Sequence, residues 1–104
     1  MEWVWDPEKN VANERKHGLD FEMAKLVLDG DTMTTTTRRD IYQGEERWQT
    51  IGALDSLGYN SLVVLVVHTM PMYDSVGRII KPGRIISARK ATPHERRAYA
   101  KGYF

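Results

Sequence analysis

Short apolar runs along the chain are each bounded by a start or stop signal, and their spacing separates helices from strands. Trp3-Val4-Trp5 predicts a short strand, since bulky aromatics suit a pleated surface. Asp6-Pro7 then opens a helix, with Asp as N-cap and Pro at the first helical position. Lys16-His17-Gly18 closes it, because basic residues in a last turn followed by Gly form a stop signal. Asp20 caps a second helix, whose apolar side is Phe21, Ala24, Leu26, Val27 and Leu28 and which ends by Gly30. From Thr34 the residue types favour strands. Thr34–Thr37 with Ile41-Tyr42 predicts a polar strand at a sheet edge, Gly44 a turn, and Arg47–Leu54 the next strand. A turn over Asp55–Asn60 follows. Ser61–Thr69 is apolar on both faces and belongs at the centre of the sheet. Arg84–Arg89 is the last long strand. Thr92-Pro93-His94-Glu95 is a capping box opening a final helix that carries Ala98 and Tyr99 and frays near Gly102.

The resulting order, β-α-α-β-β-β-β-α, predicts an α+β domain. An antiparallel sheet of four to five strands forms a meander, two N-terminal helices cover one face, and the other face is left open to a ligand or partner. One segment interrupts the pattern. Gly77-Arg78-Ile79-Ile80 is echoed six residues later by Gly83-Arg84-Ile85-Ile86. The shift is even, so either copy places the same side chains on the same face. Lys81-Pro82 separates a short hairpin arm from the real strand, unless the echo is a coincidence within a loop.

The 104-residue length fits one domain with one core, residues 1–104. The absence of cysteine excludes a disulfide framework and thiolate metal sites. The longest apolar run, Leu62–Val67, is too short for a membrane span, and the acidic start is unlike a signal peptide, so a cytoplasmic protein is expected. The formal charge of +1 hides a division. Residues 78–104 hold eight bases against one acid, or +7, and residues 1–77 hold seven bases against thirteen acids, or −6. The basic end predicts a polyanionic partner.

Several segments, taken in this order, resemble the BrnT-type toxins of bacterial type II toxin–antitoxin pairs. They are Trp5-Asp6-Pro7, Asn13 with Lys16-His17-Gly18, Phe21 with Ala24, Gly44-Glu45-Glu46-Arg47, Ile51-Gly52, Arg84 through Ala91, Glu95-Arg96-Arg97 and Tyr99. The resemblance covers nearly the whole chain. It implies a RelE-like fold, RNA cleavage that arrests translation, and neutralisation by a cognate DNA-binding antitoxin of the BrnA kind, with DNA reached only through that antitoxin. The chain departs from the pattern between Met70 and Pro82, where the connection is longer.

RNA cleavage without a metal needs a base for the 2′-hydroxyl, a cation for the phosphorane and an acid for the leaving oxygen. His17, His68 and His94 are isolated and the sequence offers no metal cluster, so a cofactor-free reaction is expected. Arginine suits the cation role, and Arg47, Arg84 and Arg89 sit on predicted strands. Strict alternation puts Arg84 and Arg89 on opposite faces, because their separation is odd, unless a bulge intervenes. Arg89, at the strand-to-helix junction, is therefore favoured together with Arg47, and Arg84 takes a supporting role. His17, Lys90 and Glu95 are the candidate proton carriers. Each has a structural alternative: a helix C-terminal cation, a phosphate contact and a capping-box acid. Lys16, Arg84, Arg96, Arg97 and Tyr99 are candidate RNA contacts, although Tyr99 would serve equally as packing on the sheet. His68 reads as a satisfied core or edge histidine. A rival reading is a non-catalytic module that binds nucleic acid through its basic helix and a protein through its acidic part.

Overall fold

Local caps begin the helices where the sequence places them. The computed structural model describes residues 2–30, 35–54 and 62–102. Strand β1 is Trp3–Val4, followed by helix α1, Pro7–His17. The Asp6 side chain accepts from the Glu8 N–H, and Gly18 ends the helix in the left-handed conformation. Asp20 caps α2, Phe21–Leu28, by accepting from the Met23 N–H. Strands β2, Thr35–Tyr42, and β3, Glu45–Ala53, follow. Gln43 and Gly44 join them with φ of 50° and 79°. Two successive positive φ angles make a two-residue turn of the type whose twist matches a hairpin. The expected turn at Asp55–Asn60, and the residues Thr34 and Ser61, lie outside the described residues.

Strand β4, Val63–His68, is central as expected: the five-stranded sheet runs β1-β7-β4-β3-β2, where β7 is Gly83–Lys90. β2 lies at the edge. Strands β2, β3, β4 and β7 pair antiparallel, but β1 pairs parallel to β7, so the sheet is mixed rather than a pure meander. The chain between β4 and β7 forms a separate hairpin arm of β5, Met72–Tyr73, and β6, Ile79–Lys81. The break falls at Pro82 alone, since Lys81 is the last residue of β6 and pairs with Met72, and of the echoed segment only Ile79-Ile80 lies in the arm's strand. The last helix, α3, is Pro93–Lys101. Its capping box is complete: the Thr92 hydroxyl accepts from the Glu95 N–H, and the Glu95 carboxylate accepts from the Thr92 N–H.

Two apolar clusters divide at the sheet. On the first face, α1 and α2 bring Leu19, Phe21, Ala24 and Val27 against Trp3, Val64, Val66, Ile85 and Ala88. Phe21 is fully buried, which by itself stabilises the fold by roughly 2–3 kcal/mol. Gly83 is required here, because a Cβ would stand 2.3 Å from Trp3 Cζ3. Thr50 and His68 share this face. His68 is 1% exposed, in hydrogen-bond contact with Thr50 Oγ1 at Nε2 and with the Thr69 carbonyl at Nδ1, and edge-on to Trp3. It is the satisfied core histidine the sequence suggests, and burial pushes its pKa down.

On the second face, Ile51, Val63 and Leu65 pack against Ala91, Ala98 and Tyr99. This face is therefore not open along its length, as the sequence reading expected. α3 folds back over one part of it, and Tyr99 spends its ring on that packing.

β1 is short, so it leaves the distal half of β7 without a strand partner on that side. Asn13 fills the gap. Its side chain donates to the Ala88 carbonyl at 2.8 Å and accepts from the Ala88 N–H at 3.1 Å, as a neighbouring strand would. It also donates to the Leu19 carbonyl, which ties the α1–α2 turn to the sheet.

Candidate functional site

The register of β7 against β4 decides which arginines meet. Val67 pairs with Ser87, but His68 pairs with Ile85, so Ile86 is an extra residue in a β-bulge. A bulge restarts the alternation of side chains. Ile85 and Ala88, an odd three residues apart, consequently both enter the first-face core. The same shift brings Arg84 and Arg89 together on the second face. The expectation from strict alternation, which set Arg84 aside, is overturned for this reason.

Arg47 joins them. On β3, Ile51 and Ala53 pack on the second face, so Glu45, Arg47 and Gln49 share it by alternation. The contacts agree. Arg84 Nη2 donates to Glu45 Oε1 at 2.6 Å, and Arg47 Nε donates to the same oxygen at 3.4 Å. The Arg47 guanidinium also lies over the Tyr42 ring, 4.4 Å from its centre. Glu45 is the residue that reading the sequence for function overlooked. Its only signal was its place in the Gly44-Glu45-Glu46-Arg47 match, because its arginine partner on β7 is 39 residues away. The Arg84 hydrogen bond in particular, with Arg47 beside it, pulls the Glu45 pKa below the usual carboxylate value.

Arg89 lies inside β7, which continues to Lys90, rather than at a junction beyond it. Its guanidinium grips Glu95 in a fork, Nη1 to Oε1 at 2.7 Å and Nη2 to Oε2 at 2.9 Å. That fork, supported by the Thr92 N–H, holds the Glu95 carboxyl down at about 2. The same hydrogen bonds fix Arg89 still more firmly in its charged form. The contact pins α3 to the sheet beside Arg89.

The remaining predicted residues fall elsewhere. Lys90 follows Arg89 and pairs with Val64, a first-face residue, so the pleat directs it away from the arginines. His17 is one helical turn beyond Asn13 on α1, the helix that packs on β7, and is half-buried. Lys16 beside it is exposed. Arg96 and Arg97 are exposed on α3, next to Glu95 in sequence. The structure thus gathers Arg47, Arg84, Arg89, Glu95 and Tyr99 on the second face with Glu45, while His17, Lys16 and Lys90 belong to the other side of β7.

Chemically, the second face offers guanidinium groups on β3 and β7, the two strands that flank β4, with the Glu45 carboxylate between Arg47 and Arg84. Such a cluster binds phosphate oxygens and stabilises added negative charge on phosphorus. Among the described residues, no three His, Asp or Glu side chains converge as metal ligands would, and no helix is long and apolar enough to cross a membrane. The model of the family described as the ribonuclease toxin, BrnT, of type II toxin–antitoxin systems matches residues 5–95. No curated protein matches the chain.

Proposed function

The chain belongs to the BrnT family of ribonuclease toxins of type II toxin–antitoxin systems, and from that premise we propose a metal-independent endoribonuclease whose active site is the arginine face. The observation that carries this reading is the bulge at Ile86, which aligns Arg84 with Arg89 and brings Arg84 to Glu45 and Arg47.

The steps follow from the residues present. An RNA phosphate competes with Glu45 for Arg84 and Arg47. As those cations turn to the phosphate, the Glu45 carboxylate loses the partners that depress its pKa and becomes a better base. Glu45 then takes the proton of the 2′-hydroxyl. The 2′-oxygen attacks phosphorus, the P–O5′ bond breaks, and the products are a 2′,3′-cyclic phosphate and a 5′-hydroxyl. Arg47, Arg84 and Arg89 stabilise the phosphorane charge. The departing 5′-oxygen is protonated from solvent, which reaches this half-exposed face. Glu95, held ionised near pH 2 and above, serves as the anchor that aims Arg89 and not as a proton carrier. Arg96 and Arg97 hold the flanking RNA backbone, whereas Lys16, on the other side of β7, stands away from it. His17 and Lys90 are too poorly aligned with the arginine face to share the first proton transfer.

In the cell, cutting RNA in this way arrests translation, and a cognate DNA-binding antitoxin of the BrnA kind neutralises the toxin. Two results test the chemistry. Cleavage of an unstructured RNA by the purified protein persists in excess chelator. Glu45→Gln, which keeps a hydrogen-bond acceptor for arginine but is no base, lowers the cleavage rate about 100-fold or more. Cleavage that requires an added divalent ion, or that survives Glu45→Gln unchanged, contradicts the proposed route.

A further inference from the structure

Tyr42 is the last residue of β2 and stands beside the arginine cluster. It pairs with Glu45 across the two-residue turn, and directly opposed residues of an antiparallel pair project from the same face. Glu45 holds the contacts to Arg84 and Arg47, so Tyr42 shares the second face with them. The contacts agree, since the Arg47 guanidinium lies over the Tyr42 ring, 4.4 Å from its centre. β2 is an edge of the sheet, and no strand covers it from outside among the described residues. Tyr42 is accordingly 51% exposed.

Arg47 occupies one face of the ring, and the exposed half of the residue leaves the other to a planar ligand. Attraction between the guanidinium and the ring quadrupole holds the two groups together. Among the described residues, the one hydrogen bond of the Arg47 side chain runs from Nε to Glu45, so both Nη groups remain for phosphate oxygens. A phosphate-binding cation and an aromatic platform are thus in direct contact. A nucleotide satisfies both at once, with its phosphate on Arg47 and its base on Tyr42. Every base has a π-face, so the platform accepts any of the four. A base inside a duplex is refused, because its neighbours already cover both faces.

We infer that Tyr42 is the stacking platform for the base beside the scissile phosphate, and that it restricts the arginine face to RNA whose base at that point is unpaired. The inference rests on the ribonuclease reading of the arginine face, and adds the form of substrate that this reading leaves open. Tyr42 moves no proton. It holds the nucleotide while Arg47, Arg84 and Arg89 meet the phosphate. A tyrosine that served only to prop Arg47 would act equally on a phosphate chain without bases, and that difference is measurable.

Binding of two uncleavable ligands to the full chain, followed by the anisotropy of a terminal dye, tests it. One is an unstructured 2′-O-methyl RNA of about eight nucleotides, and the other is the same sugar–phosphate chain without bases. The wild type binds the base-bearing chain about ten-fold or more tightly than the bare one. Tyr42→Leu abolishes this preference while keeping the affinity for the bare chain, the salt dependence and the thermal unfolding curve. Tyr42→Phe, which retains the ring, retains the preference. Equal affinity of the wild type for the two chains, no binding of either, or a preference that survives Tyr42→Leu overturns the inference. If Tyr42→Leu weakens both chains alike, the residue only props Arg47. Cleavage of the unmodified RNA separates the two readings. A Tyr42-dependent preference without scission keeps the platform and removes the nuclease. Scission that is equally fast in Tyr42→Leu, or equally fast on a duplex, keeps the nuclease and removes the platform.

Discussion

The Glu95 carboxylate accepts at once from the Arg89 fork and from the Thr92 N–H, so its ionisation is coupled to the docking of α3. Its pKa falls from 4.5 to about 2 on folding. The lowered value means that stability is present above pH 4.5 and is lost as pH falls through 2, amounting to at most about 3 kcal/mol. His68 acts in an earlier window. Burial lowers its pKa below 6.5, so the unfolded chain takes up this proton first and stability declines as pH drops below 6.5. Urea unfolding measured against pH is expected to show both losses. Glu95→Gln removes the lower one and leaves the upper. Asn13 is a second sensitive residue, because its buried side chain makes three hydrogen bonds, two to Ala88 at the edge of β7 and one to the Leu19 carbonyl. Asn13→Ala leaves the Ala88 N–H and carbonyl unpaired, and a destabilisation of about 2–4 kcal/mol is expected from the urea midpoint at unchanged m-value. The sequence marked Asn13 only through resemblance. Its edge-filling role depends on β1 stopping at Val4, which no local pattern announces.

Elements governed by local chemistry were legible in the chain. Asp6-Pro7, Asp20, the Thr92–Glu95 box and the apolar run of β4 each carry their own signal within a few residues, and each element formed where it was expected. The candidate site was legible in its residue types but not in its arrangement. Ile85 and Ile86 are equally apolar, so nothing in the sequence distinguishes the bulged residue from its neighbour. The parallel pairing of β1 with β7 was hidden for a similar reason, since strand partners eighty residues apart leave no local trace. The echoed segment shows how one register is enforced. Were Gly77-Arg78-Ile79-Ile80 to slide into the place of Gly83-Arg84-Ile85-Ile86, Pro82 would take the position of Ala88. Proline has no N–H to donate to Asn13, so the slipped register forfeits that bond. The α3 cap is open to a direct check. Thr92→Ala removes the hydroxyl that accepts from Glu95 N–H and should lower stability by about 1 kcal/mol, with a matching loss of helical circular dichroism.

Charge is organised across the whole molecule. The +7 segment, residues 78–104, supplies both β7 and α3, which together frame the second face. Polyanion binding through such a surface must weaken with salt. Five arginine–phosphate contacts on single-stranded RNA, through Arg47, Arg84, Arg89, Arg96 and Arg97, predict a slope of about −3.5 in log affinity against log salt, and Arg96→Ala or Arg97→Ala should each make it shallower by about 0.7. Binding alone would also suit a non-catalytic module, so the position of Arg84 matters more than the net charge. Alternation without a bulge would place Arg84 on the far face from Arg89, where its loss would leave cleavage intact. With Ile86 bulged out, Arg84 stands beside Glu45 in the proposed site. The decisive measurement is therefore the rate of 2′,3′-cyclic phosphate formation from an unstructured RNA, wild type against Arg84→Ala, with thermal unfolding followed in parallel. The account predicts a loss of about 100-fold or more in Arg84→Ala while the protein stays folded. Wild-type cleavage by a folded Arg84→Ala protein would contradict it.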